Sequence, residues 1–240
     1  MPTLLDRWEV MPHGELTEID DGILTVAGTI KMPLGSFPRR MTVVRVVGGR
    51  TAIWSAVALD EPEMARIEAV GTPGFLIVPN DHHRLDARIW KDRYPDIRVI
   101  APPGARDAVN EAAPVDATRD ILGDRDVRFV TIAGTDEHES ALVVDRASGT
   151  TLVLNDLIGN LHHPDGVMQH VMGRLMGFGV SEPQMPRPIR SKLVRDPAAL
   201  AAQLRSWADL PDLKRIIVSH GDPIENDPAG ALRSVAATLD

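Results

Sequence analysis

The sequence predicts an α/β (α+β) protein, with antiparallel hairpins and parallel strand–helix units in one chain. Three observations lead there. Residues 74–112 alternate short apolar runs with helical stretches, the rhythm of strand–helix–strand–helix. Residues 141–145 and 150–154 are β-branched runs separated by Arg146-Ala147-Ser148-Gly149, which reads as a hairpin turn. Residues 41–47 and 51–57 repeat that pattern around Gly48-Gly49.

The elements follow in order. Residues 22–27 and 41–47 are strands rich in Val, Ile and Thr, and 51–57 completes a hairpin. Residues 62–70 form a helix entered through Pro62. Residues 75–78, all apolar between Pro73-Gly74 and Pro79-Asn80, have the look of a fully buried strand. A helix over 85–93, a strand over 97–101 and a helix over 105–112 follow. Residues 127–132 make the next strand, ahead of the 141–154 hairpin. Residues 167–178 carry Val167, Val171, Leu175 and Phe178 at helical spacing, with Met168, Met172 and Met176 alongside. The three prolines of 181–190 predict a loop. A helix over 197–208, a buried strand over 214–218 and a helix over 228–239 close the chain. No fixed-period repeat interrupts it, and residues 1–240 read as a single domain.

Composition narrows the function. The chain has 240 residues, 26 Lys plus Arg against 34 Asp plus Glu for a formal charge of −8, and no cysteine. Without Cys there is no disulfide framework, thiolate nucleophile or Cys-based metal site. The acidic balance argues against nucleic acid, which needs a basic face, and an aromatic content of 4% argues against a base-stacking platform. No apolar run approaches a membrane span and no basic-then-apolar leader opens the chain, so the expected setting is cytoplasmic, away from membranes. Neither a Gly-x-Ser-x-Gly elbow nor a phosphate-binding Gly-x-x-x-x-Gly-Lys-Ser/Thr loop is present.

Ligand-capable residues gather where apolar strands end. Residues 75–78 run into Asn80-Asp81-His82-His83-Arg84-Leu85-Asp86, 151–154 into Asn155-Asp156, and 214–218 into Ser219-His220-Gly221. Asp136 and His138 lie in a connection between two strands. Loops at strand ends are where sheet proteins build sites, and imidazoles and carboxylates from separate loops are how a hydrolytic metal site is assembled.

This layout resembles the metallo-β-lactamase fold superfamily over roughly residues 22–227. The resemblance implies a four-layered αβ/βα sandwich with a metal site along one edge. Its late His-Gly turn corresponds to His220-Gly221 and its bridging aspartate to Asp156. Its first motif, His-x-His-x-Asp-His, is altered: Asn80 stands at the first His, His82 at the second, Arg84 at the Asp and Leu85 at the last His. The middle histidine corresponds to Asp136 or His138. A guanidinium cannot ligate a cation, so the second metal position is left almost bare. The resemblance therefore implies at most one zinc or iron ion, held among His82, Asp136 or His138, Asp156 and His220, or no metal at all. His82 is preferred over His83, since neighbours diverge and one of them faces the site. A shifted register would instead bring Asp86 onto one helical face with His82 or His83.

The expected activity is hydrolase-like. Metal-activated water would attack an ester, thioester, lactone or phosphoester. Asp156 would orient or deprotonate that water, and Arg84 would hold an anionic group of a small-molecule substrate. The alternative is a metal-free relative that binds a small anion without chemistry. His162, His163 and His170 fall outside the motif, and Met168, Met172 and Met176 are read as core or as the contact of a homodimer.

Overall fold

The computed structural model describes residues 4–32, 35–161, 174 and 177–240. The first half forms a six-stranded sheet in simple sequence order. Strands β1 (Thr17–Asp20), β2 (Ile23–Met32), β3 (Gly35–Val46) and β4 (Arg50–Trp54) pair antiparallel. Helix α1 (Glu61–Val70) then carries the chain across so that β5 (Thr72–Ile77) pairs parallel to β4. Helix α2 (Ala87–Arg93) does the same for β6 (Arg98–Ile100), and α3 (Arg106–Asn110) follows.

The second half forms a four-stranded sheet. Strands β7 (Val127–Thr131), β8 (Ser140–Arg146) and β9 (Gly149–Val153) are an antiparallel meander, and β11 (Leu213–Ile217) pairs parallel to β9 at one edge. Strand β10 (Gly159–Asn160) pairs parallel with β12 (His220–Gly221). Helices α4 (Arg187–Leu193), α5 (Pro197–Ala208) and α6 (Pro228–Ala237) belong to this half.

The alternation of side chains along each strand builds the layers. Val44, Ala52, Trp54, Phe75 and Ile77 of the first sheet meet Phe129, Leu142, Val144, Val153 and Ile217 of the second in one buried cluster. Their neighbours Val43, Ile53 and Leu76 point the other way, onto Met64 and Ile67 of α1 and Trp90 of α2. Val143, Leu152 and Ile216 likewise pack on Leu200 and Leu204 of α5 and Leu232 and Val235 of α6. The order is helix, sheet, sheet, helix: the four-layered αβ/βα sandwich.

The prolines of 181–190 do not keep all of that segment a loop. Arg187 to Arg190 open α4, with Pro186 at the N-cap and Pro188 within the first two helical positions. Backbone N–H groups there have no partner within the helix, so proline costs nothing. The helix expected over 167–178 lies almost wholly outside the described residues, as do His162, His163, His170 and the homodimer contact assigned to Met168, Met172 and Met176. Among the described residues, no helix is long and apolar enough to cross a membrane.

Candidate metal centre

Three strand ends deliver the site. β5 leads to His83, β9 to Asp156 and β11 to His220, whose ligand-capable atoms all lie within 4.8 Å of one another. Asp156 and His220 are buried, and His83 keeps a little exposure. Both imidazole Nε2 atoms converge on one carboxylate oxygen. Asp156 Oδ1 is 2.7 Å from His220 Nε2 and 3.2 Å from His83 Nε2.

The outer nitrogens set the chemistry of the inner ones. His220 Nδ1 donates to the Pro38 carbonyl at 2.7 Å. A carbonyl only accepts, so the proton of neutral His220 is on Nδ1, and the Nε2 lone pair faces Asp156. A lone pair and a carboxylate oxygen at that separation repel unless a second proton or a cation lies between them. His83 Nδ1 is 2.8 Å from Ser55 Oγ, a hydroxyl that serves either tautomer. Burial holds the His83 ring pKa below its ordinary value, favouring the neutral, ligating form. Two imidazoles backed by outer hydrogen bonds, facing one carboxylate, fit a single zinc or iron ion with a position left open.

Local structure explains why the chain turns this way. Asn80 Oδ1 accepts from the backbone N–H of His82 (2.9 Å) and of His83 (3.1 Å). Its Nδ2 donates to Glu139 Oε2 (2.9 Å) and to Asp156 Oδ2 (2.7 Å). All four hydrogen-bonding capacities of the amide are used, and the backbone donors fix which end is oxygen. Ser55 holds a left-handed φ of 52°, a strained conformation for a residue with a Cβ, at the point where its hydroxyl meets His83. Ser219 Oγ donates to Asn155 Oδ1 in a short contact, clasping the ends of β9 and β11.

Glu139 is the buried acid that sequence reasoning missed. It is fully buried, and burial together with the Asp156 charge pushes its pKa well above the ordinary carboxylate range. Asp156 goes the other way: burial opposes ionisation, but His83 and His220 outweigh it and hold the pKa well below normal. Through Asn80 the pair is one neutral acid and one carboxylate. A raised folded-state pKa stabilises the fold most below the unfolded value near 4.3, and that contribution is lost as pH rises towards the folded value. Glu139→Gln removes this loss while keeping an acceptor for Asn80. Its melting temperature is therefore expected to gain on wild type as the pH rises above about 5, until Glu139 ionises in the folded protein. A constant offset across that range would show that Glu139 is ionised.

The sequence-derived candidates divide. The structure brings Asp156 and His220 together, and the third residue beside them is His83 where the sequence reading preferred His82. His82 turns outward to Asp81, 3.4 Å away, with half its side chain exposed. It borders the adjoining cavity but is outside the three-residue group. Asp136 sits in a turn with φ 52°, and the half-exposed His138 ring lies 3.9 Å from Asp81; neither joins the group. Arg84 donates to the Ala108 carbonyl and to Glu111 near α3, which draws its guanidinium away from Asp156. Asp86 shares no helical face with the histidines; it pairs with Arg39 and accepts from Ala58 N–H at 3.0 Å. The available signal for Glu139 was its register: it keeps the alternation of Ala141 and Val143, whose side chains are buried.

Beside the three residues lies a cavity of about 370 Å³. Phe37 and Phe178 wall it, their rings packed against His220 at centroid distances of 4.7 and 5.9 Å. Leu85 and Ile189 add apolar surface, and Arg39 and Lys192 are its cations. That volume suits a small molecule.

No protein-family model matches the chain, and no curated protein matches its sequence. Solved structures do. DIM-1 metallo-β-lactamase superposes with a TM-score of 0.64 at 14% identity, over 97% of this chain and 100% of that one. FIM-1 from Pseudomonas aeruginosa, in a mono-zinc form, gives 0.61 at 14% identity over 95% and 96%. A metallo-β-lactamase from Hirschia baltica gives 0.61 at 12% identity over 94% and 98%. The chain has the metallo-β-lactamase fold.

Proposed function

We propose that this protein is a metal-dependent hydrolase holding one zinc ion (or iron) on His83, Asp156 and His220, and that it acts on an ester, thioester or lactone. The observation that carries the reading is the convergence of both Nε2 atoms on Asp156 Oδ1, with His220 locked by Pro38 in the tautomer that ligates. A similar structure, FIM-1, was crystallised with one zinc, so the fold accommodates a mononuclear centre.

When bound, zinc supplies Lewis acidity and activates water near neutral pH. The chain's own residues do the rest. Pro38 and Ser55 hold the two rings in place, and the Pro38 carbonyl keeps the His220 lone pair aimed inward. Asn80 fixes Asp156 Oδ2, so that only Oδ1 faces the histidines. Glu139, neutral, keeps a second negative charge out of the buried cluster. Phe37 and Phe178 shield one side of His220 from water, which strengthens the electrostatics of the centre.

Metal analysis of protein purified without chelator tests this. The expected content is about one ion per chain, falling below about a tenth of that in His220→Ala. A wild type that stays empty after zinc reconstitution and gel filtration would remove the metal. A metal-free binding protein is the second reading, favoured by the 2.7 Å between Asp156 and His220, a direct hydrogen bond once His220 carries two protons. Binding of a small anion by that metal-free protein would establish it.

A further inference from the structure

Arg39 is 6% exposed and borders the cavity beside the three site residues. Its Nη1 donates to Asp86 in a short, buried pair. Its Nε and Nη2 are shielded from solvent and have no hydrogen-bond partner among the described residues. Those two nitrogens form one edge of the guanidinium, with two parallel N–H groups spaced to match two oxygens of a carboxylate. Leaving such an edge unpaired away from water is costly, so it is a place to look for a ligand group. Asp86 clamps the opposite corner and fixes where the edge points.

We propose that the Nε–Nη2 edge of Arg39 recognises a carboxylate on the ligand of this cavity, while Phe37, Phe178, Leu85 and Ile189 take the alkyl part of the same molecule. The proposal takes the cavity of the hydrolase reading as its site, but needs no metal. The substrate class becomes an ester, thioester or lactone that also carries a carboxylate on a short apolar chain. Position supports the coupling of recognition to chemistry. Pro38, whose carbonyl holds His220, is the residue directly before Arg39 on β3. Lys192, exposed at the cavity and without an ion pair among the described residues, adds attraction for an anion at longer range. Arg39 also borders a second hollow, with Arg40 and Asp222 in its wall; acids line both hollows, Asp86 and Asp156 in the first, and what sets the first apart is its apolar wall of Phe37, Phe178, Leu85 and Ile189.

Calorimetry on the full chain, with hexanoate as probe and hexanamide as neutral control, tests the assignment. It is run on zinc-loaded and on chelator-stripped protein, because a carboxylate also binds zinc. Stripped wild type should bind hexanoate about tenfold more tightly than hexanamide, the worth of a charge-assisted pair. Arg39→Lys, which keeps the charge and loses the paired edge, should erase most of that preference and leave hexanamide unchanged. Lys192→Gln, on an exposed side chain, should weaken hexanoate about threefold at low salt and hardly at all at high salt. Hexanoate binding that appears only with zinc, or equal affinity for both probes, overturns the proposal; so does a preference undiminished in Arg39→Lys. If Arg39→Lys does not fold, the probe ratio in stripped wild type and the Lys192→Gln arm decide by themselves. A protein inert to every ester but with the Arg39-dependent preference intact would lose the hydrolase reading and keep this one.

Discussion

Gly221→Ala is expected to cost about 4 kcal/mol or more of folding stability, a large share of the roughly 5–15 kcal/mol that holds a typical domain together. Gly221 has φ 114°, a conformation that L side chains rarely adopt. An added Cβ would lie 2.1 Å from the Asn160 carbonyl oxygen and 2.3 Å from its carbon. Both are backbone atoms of β10, paired to β12 at this very position, so no side chain can swing aside. The Gly221 carbonyl also accepts from the buried Arg40 at 2.8 Å, which ties β3 of the first half to this turn in the second. Urea denaturation of metal-stripped protein measures the effect free of any ligand contribution. A loss below about 1 kcal/mol would mean that the β10–β12 clasp can part without cost.

Asp156→Asn should separate metal retention from folding. One ligand is lost outright, so affinity for zinc should fall by at least about 100-fold, the upper end seen when only a supporting residue is removed. The fold should not suffer. The new amide can turn its oxygen to Asn80 Nδ2 and its NH2 towards the Nε2 atoms of His83 and His220, and every group is satisfied without burying a charge. In stripped protein the melting temperature of the variant should equal or exceed that of wild type, the signature of a cluster kept for function at the expense of stability. A stripped variant that melts well below wild type would make Asp156 a structural anchor.

The strands were legible because burial on both faces of a two-sheet core leaves apolar or alternating runs, and turn residues bound them. Four features escaped. β1, β10 and β12 are too short to show a period. α4 was hidden by prolines that sit only at its start. In the site, Asp156 and His220 stand out in the sequence because each comes three residues after the end of a buried strand. The choice between His82 and His83 could not, because it is made by the side chain of Asn80, which caps both amides and turns the second ring inward. Spacing alone carries no record of such a contact. The partners of Arg84 were out of reach for a related reason: Ala108 and Glu111 are distant in sequence.

The full saturation of Asn80 has an evolutionary consequence. A histidine at position 80, where the resembling motif begins, would bring a metal-ligating ring. It would also strip the caps from His82 and His83 and break both links from Asn80 to the acids, all at once. Glu139 would then face Asp156 with no amide between them. Positions 80 and 139 are therefore coupled: Asn80→His is expected to destabilise the fold less alongside Glu139→Gln than alone, and by itself it leaves Arg84 and Leu85 where the resembling motif has its other two ligands.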